Sequence, residues 1–335
     1  MLSSTADHLY WMAGRVERAE NIARILDVTY RMSLLPQGIS SPNQEWEAPL
    51  LITGLYRSFF EKHSESNAAN VLDYMALDAD NPSSIRACLR SARENGRAVR
   101  GAISSEMWET LNATWLKLSE VDADELRESG ITSFFDRVKT RSHLFRGVTV
   151  GTMLQDEAYH FIRLGTFFER ADNTARLLDV KYHVLLPSVR DVGGAADYYQ
   201  WGAVLRSLSA FEAYRKIYRG GITPRRVAEL LLLRDDVPRS MHACLKDVYQ
   251  RLQVISGRSE GECQRLAGEL HASLRFGRIE DIFRAGLHEF LTDFLRRMSD
   301  LGDEINREFL WPVPADDMPE DRVETAGQRQ WQRQG

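Results

Sequence analysis

The sequence predicts an all-α protein, a large helical bundle built from two helical repeats related by a pseudo-twofold axis. Three observations carry that expectation. None of the ten prolines falls between positions 83 and 186 or between 239 and 311, and proline is expelled from helix interiors because it lacks an N–H and clashes with the preceding turn. Apolar residues in those runs recur with the 3.6-residue period, and no alternating β-branched run closed by an Asn-Gly or Asp-Gly turn interrupts them. The third observation is an internal duplication.

The elements follow in order. The first helix is expected over 4–34, closed by Pro36. Helices over 46–62 and 67–78 precede Asn81-Pro82, where a capping side chain stands before a proline suited to a first helical position. Helices over 83–103, 105–120 and 133–149 complete the first half. The second begins with a long helix over 154–185, closed by Pro187, and continues with one over 197–219. Thr223-Pro224 repeats the capping signal ahead of 224–234. Helices over 238–256, 259–275 and 278–309 finish the bundle. The tail over 312–335, polar and proline-containing, is expected to be flexible.

The duplication joins these elements in pairs. VERAENIARILDVTY (16–30) lies over FERADNTARLLDVKY (168–182) at an offset of 152. His8 falls on His160. VLDYMALDADNPSSIRACL (71–89) lies over VAELLLLRDDVPRSMHACL (227–245) at an offset of 156, and Trp46 over Trp201 at 155. Collinear blocks whose offsets drift so little give two repeats, 1–150 and 153–310. No linker-like sequence separates them, so a shared core is expected. The period is far longer than a solenoid unit.

Composition narrows the function. With 43 Lys+Arg and 48 Asp+Glu the net charge is −5, which lacks the basic excess of a nucleic-acid binder. Three cysteines without CxxC spacing suggest buried thiols in a reducing cytoplasm rather than disulfides or zinc. No signal peptide is expected from the N-terminal residues, and no apolar run reaches the ~20 residues of a bilayer span. The expected localisation is cytoplasmic, without membrane or nucleic-acid partners. Phosphate-loop and nucleophile-elbow motifs are missing. A di-iron carboxylate site needs Glu-x-x-His, and Glu20 and Asp172 stand where its histidines would be. Neither metal nor cofactor is expected.

The repeated helix carries the candidate site. At 100° per residue, Ala19, Ile22, Ala23, Leu26 and Tyr30 share one face, while Glu17, Asn21, Arg24 and Val28 form a band opposite. The second copy sets Ala171, Ala175, Leu178 and Tyr182 against Glu169, Asn173, Arg176 and Val180. Both faces recur, so the polar band is expected to be packed against something. Ala13 or Gly165, one turn earlier, would let a backbone or ligand come close. Arginine suits carboxylate or phosphate, asparagine both donates and accepts, and glutamate accepts from an amine or holds the arginine. Two facing bands would make a charge-balanced pocket for a zwitterionic or peptide-like guest. The same residues also fit a register lock between the halves, through the i,i+4 pairs Glu20–Arg24 and Asp172–Arg176 and the i,i+3 pairs Arg24–Asp27 and Arg176–Asp179. The basic run Arg137, Lys139, Arg141, His143 and Arg146 is expected as a solvated or partner-facing stripe. His8 and His160 point away from the glutamates and suit core or capping roles.

The runs HLYWMAGRVERAENIARILDVTY and HFIRLGTFFERADNTARLLDVKYHVLLP, with NPSSIRACLRSARENGRAV and ISSEMWETLN, resemble the Alpha-E family. That family is a bacterial all-helical domain named for its Glu-Arg motif. The resemblance places the motif at Glu17, Arg18, Glu169 and Arg170. It implies association with an ATP-grasp-type ligase and a transglutaminase-like protein, hence peptide-bond or amide chemistry with the helical protein as a component. Relatives commonly carry arginine three residues before the motif glutamate, where this chain has Gly14 and Thr166. The expected function is a helical partner or co-catalytic component of an amide or peptide ligase. The alternatives are a stand-alone enzyme with a motif glutamate as general base, or a structural scaffold. A homo-oligomer remains open.

Overall fold

A computed structural model describes residues 1–34, 42–128, 130–183, 195–257 and 261–310. Among them every regular element is helical. The first half comprises α1 (Ser3–Ser33), α2 (Pro42–Thr53), α3 (Tyr56–Lys62), α4 (Ala68–Leu72), α5 (Ile85–Ala98), α6 (Ser105–Ser119), α7 (Ala123–Glu128) and α8 (Ile131–Thr152). The second comprises α9 (Glu157–His183), α10 (Ala195–Ser207), α11 (Phe211–Ile217), α12 (Pro224–Leu233), α13 (Met241–Ser256), α14 (Glu262–Arg275), α15 (Ile279–Ala285) and α16 (Leu287–Phe309). The expected closures at Pro36 and Pro187 and the tail over 312–335 lie outside the described residues. No described helix is long and apolar enough to cross a membrane.

Three expected helices are each divided by a residue in the left-handed region. The one over 46–62 breaks at Gly54 (φ 74°), that over 197–219 at Ser209 (φ 52°) and that over 278–309 at Gly286 (φ 104°). The expected helix over 67–78 becomes α4 followed by a single π turn at Asp73–Leu77. The first capping signal also shifts. Ser84, not Asn81, caps α5 through the Ala87 N–H at 3.0 Å, while Asn81 accepts from the Ser83 N–H and donates to the Tyr74 carbonyl. At Thr223-Pro224 the cap and the proline stand where expected.

Positions aligned by the duplication share local bonding. Ser240 caps α13 through the Ala243 N–H at 3.0 Å, as Ser84 caps α5. The buried thiols of Cys88 and Cys244 lie 3.7 and 3.8 Å from the carbonyls of Pro82 and Pro238. His8 meets Asn95 on α5 at 2.7 Å, and His160 meets Arg251 on α13 at 3.0 Å. Both histidines thus tie their helix to the next long one.

Helix α1 holds the assembly together. Its N-terminal half, through Leu9, Met12, Ala13 and Val16, enters an apolar cluster with α9, α13 and α16. Its later residues Ala19, Ile22, Ala23 and Leu26 enter a second cluster with Trp46, Phe59, Tyr74 and Phe134. Burial at about 25 cal/mol per Å² of apolar surface drives both clusters. A helix buried all round must also satisfy its polar residues internally, and that requirement builds the site.

Candidate functional site

Helices α1 and α9 cross with almost no space between them. A Cβ on Gly165 would lie 2.2 Å from the Tyr10 carbonyl oxygen, and one on Gly14 would lie 3.6 Å from the Gly165 carbonyl oxygen. The small residues therefore admit a neighbouring backbone. At this crossing the two Glu-Arg pairs exchange partners. Arg170 donates to both oxygens of Glu17 at 2.9 and 2.8 Å. Arg18 donates to both oxygens of Glu169 at 2.9 and 2.8 Å. Bidentate guanidinium–carboxylate pairs fix orientation as well as charge, so the motif locks one repeated helix to the other in register.

Beyond the lock the two bands differ. In the first, Glu17 is 1% exposed and Glu20 is fully buried. Arg239, two residues before α13, donates to Glu17 at 2.8 Å, Glu20 at 2.6 Å and the Asn21 carbonyl oxygen at 2.9 Å. From α8, Arg146 reaches Glu17 at 3.0 Å and also Glu20, and Ser142 donates to Glu20 at 2.6 Å. Arg24 donates to Glu20 at 2.7 Å and to the Ser209 hydroxyl at 2.6 Å. Burial alone would raise the Glu17 carboxyl, but Arg170 and Arg239 outweigh it and hold it at about 2. Burial likewise opposes ionisation of Glu20, and Arg239, the His143 bond, Arg146 and Arg24 keep it well below the ordinary range.

The second band is more open. Asp172 receives Arg176 at 2.7 and 3.2 Å, the expected i,i+4 pair. Beside the Arg18–Glu169 and Arg176–Asp172 pairs lies a partly open cavity of about 100 Å³, closed by Phe168 and by Asp303 and Asn306 of α16. Asn173 is half-buried. Burial disfavours the charged Arg18, but Glu169 reverses the balance and raises it.

Several expectations change. The i,i+3 pairs do not form, because Asp27 takes Arg31 and Lys139 while Asp179 takes His288. The basic run is engaged within the fold, although His143 stays 56% exposed. Lys139 pairs with Asp27 at 2.8 Å, Arg141 donates to Thr114 at 2.8 Å, His143 lies 3.1 Å from Arg24, and Arg146 meets both glutamates. Charge is divided unevenly between the two bands. Among the described residues the first sets four guanidiniums against two carboxylates, and the cavity sets Arg18 and Arg176 against Glu169, Asp172 and Asp303. Arg239 escaped sequence reasoning altogether. Its one signal was an arginine over Ser83 between two matched positions, Pro238-Arg239-Ser240 over Pro82-Ser83-Ser84, in a block with many other mismatches.

A family model described as a predicted alpha-helical domain with a conserved ER motif matches residues 1–310. The chain belongs to the Alpha-E family. Two Glu-Arg dipeptides, Glu17-Arg18 and Glu169-Arg170, exchange partners at the α1–α9 crossing. Among curated relatives of this Alpha-E chain are Uncharacterized protein Mb2597 of Mycobacterium bovis and Uncharacterized protein Rv2567 of Mycobacterium tuberculosis. Each is 24% identical over 320 residues, covering 88% of this chain and 35% of the relative. The chain thus spans about a third of the length of the curated relatives it matches. No solved structure matches it.

Proposed function

We propose that this Alpha-E chain is the helical component of an ATP-grasp-type amide or peptide ligase system, alongside a transglutaminase-like protein, and that the cavity beside the second Glu-Arg pair receives a zwitterionic or peptide-like group. The observation that carries the ligand reading is the cavity itself, a concave space bordered by two guanidinium–carboxylate pairs and an aromatic ring. Such a border offers donors to a carboxylate and acceptors to an ammonium. Support for the component reading comes from the family resemblance and from the mycobacterial relatives, in which the matched region is part of a much longer polypeptide.

Glu17 is poorly suited to the alternative role of general base. It is anionic at neutral pH, held at about 2, and spent on three guanidiniums. A base needs a pKa near the working pH. The reciprocal Glu17–Arg170 and Arg18–Glu169 pairs instead favour a structural duty for the motif, with ligand contact left to the cavity rim.

The test has two parts. Co-purification of the full chain with an ATP-grasp ligase encoded beside it is expected to give a complex at micromolar concentration, and no association would sink the component reading. Titration with short peptides is expected to shift signals of Phe168 and Arg176. Arg176→Gln should remove that response while leaving the melting temperature within a few degrees of wild type. A variant that changes stability alone, with no binding to lose, returns the scaffold reading.

A further inference from the structure

We propose that the rim of the first band, where Arg24, His143, Arg146 and Ser209 meet, binds a phosphate-type oxyanion. The inference uses neither the cavity nor the ligase reading, and each stands or falls without the other.

Charge comes first. Among the described residues, the carboxylates that Arg24, Arg146, Arg170 and Arg239 pair with are Glu17 and Glu20. The next carboxylate along α1, Asp27, is already taken by Arg31 and Lys139. Two positive charges are left over in a largely dry site, where uncompensated charge is costly. Their consequence is visible at Arg239, which burial lowers and which the neighbouring Arg170 and Arg24 lower further against the pull of Glu17 and Glu20.

Hydrogen bonding shows the same shortage of acceptors. The Asn21 carbonyl oxygen accepts from Arg239, which fixes the amide orientation and leaves Nδ2 as a donor. That Nδ2 is buried without a partner among the described residues.

Ser209 supplies the third, independent observation. Helix α10 ends in a Schellman arrangement, with the Ala210 N–H bonded to the Leu205 carbonyl and the Ser209 N–H to the Arg206 carbonyl. The aligned end of α2 closes identically, with Leu55 bonded to Leu50 and Gly54 to Leu51. Glycine is the expected residue at that left-handed position, and Gly54 occupies it at φ 74°. The second repeat places a serine there instead, at φ 52°, a conformation unfavourable for a residue with a Cβ. Backbone strain of this kind points to a use for the side chain. The Ser209 hydroxyl accepts from Arg24 at 2.6 Å, so its own proton is left to donate outward.

The rim is accessible, with the His143 side chain 56% and the Arg146 side chain 26% exposed. An acceptor-only group at this rim would accept from the Arg24 and Arg146 guanidiniums and the Ser209 hydroxyl. A phosphate, carrying about −1.5 to −2 at neutral pH, matches the surplus of two charges, whereas a carboxylate supplies one. Arginine forks suit phosphate oxygens bidentately.

The experiment uses the full chain, with calorimetric titration and thermal melting in sodium phosphate against sodium chloride of equal ionic strength. O-phosphoserine and sodium acetate form separate arms. Saturable phosphate binding is expected, with acetate far weaker. Ser209→Gly is the informative variant, because glycine relieves the left-handed backbone and keeps the helix end intact. It should melt no lower than wild type yet bind phosphate roughly tenfold more weakly. Arg146→Gln should weaken binding further. O-phosphoserine binding more tightly than inorganic phosphate identifies the source as a phosphoryl group on a larger molecule, and equal or weaker binding identifies the free ion. No melting shift beyond that of chloride, acetate matching phosphate, or unchanged affinity in both variants overturns the proposal.

Discussion

Arg239 illustrates how unequal the arginines of this chain are. It is 7% exposed and serves three acceptors on α1, two of them carboxylates. Glu17 and Glu20 keep Arg146, Arg170 and Arg24 when Arg239 is removed, but the buried Asn21 carbonyl oxygen loses its donor. Arg239→Gln is therefore expected to destabilise the fold by about 1–3 kcal/mol, the cost of an unsatisfied buried acceptor, read from the midpoint of urea unfolding. Arg296 makes comparable short contacts with Asp293 and Asp300 on an exposed face of α16. Solvent screens such pairs, so Arg296→Ala should stay within about 0.5 kcal/mol of wild type. Equal losses at the two positions would remove the claim that the first band is a desolvated network.

Between elements, the α1–α9 crossing decides the site, because it brings the two motifs within reach of each other. Gly165→Ala is expected to cost at least 1–3 kcal/mol, roughly the range for overpacking, because its Cβ would collide with the Tyr10 carbonyl, which is rigid backbone. Gly14→Ala meets only an ordinary contact and should be neutral or stabilising by up to about 1 kcal/mol through helix propensity. Denaturation midpoints of the two variants check the pair, and a tolerated Gly165→Ala would mean that the helices lie further apart. The crossing also shows what the sequence could reveal. Recurrence of both faces in 16–30 and 168–182 marked the polar band as covered, and the small residue at 165 marked a close approach. The exchange of partners, Glu17 to Arg170 and Arg18 to Glu169, was not readable, since it depends on how two helices distant in the chain dock. The α8 row was misjudged for a related reason. Lys139, Ser142, His143 and Arg146 have the spacing of one helix face, but periodicity does not say whether that face meets water or another helix's carboxylates. Helix breaks at Gly54, Ser209 and Gly286 were missed because each interrupts the helix by only one to three residues.

On the proposed division into halves 1–150 and 153–310, the Glu17 network belongs to neither half, since Arg24 and Arg146 come from one and Arg170 and Arg239 from the other. Acid should therefore act on the molecule as a whole. Glu17 has an ordinary value of 4.5 when unfolded and is held at about 2 when folded. A carboxylate depressed in this way contributes stability that is complete above the unfolded value and disappears as pH falls toward the folded one. The difference is worth on the order of 3 kcal/mol, and Glu20, depressed in the same direction, adds to the slope. Protonation also leaves the guanidiniums facing one another without counter-charge. Urea unfolding is thus expected to show constant stability from pH 7 to about 5, then a steep decline toward pH 2. Probes in the two apolar clusters should report the same midpoint, because α1 enters both. Glu17→Gln should begin less stable at pH 7 and decline more shallowly between pH 4.5 and 2. A wild-type profile flat across that interval would show that the Glu17 carboxylate owes little to its arginines, and the ion-pair network would no longer explain why α1 tolerates burial on both faces.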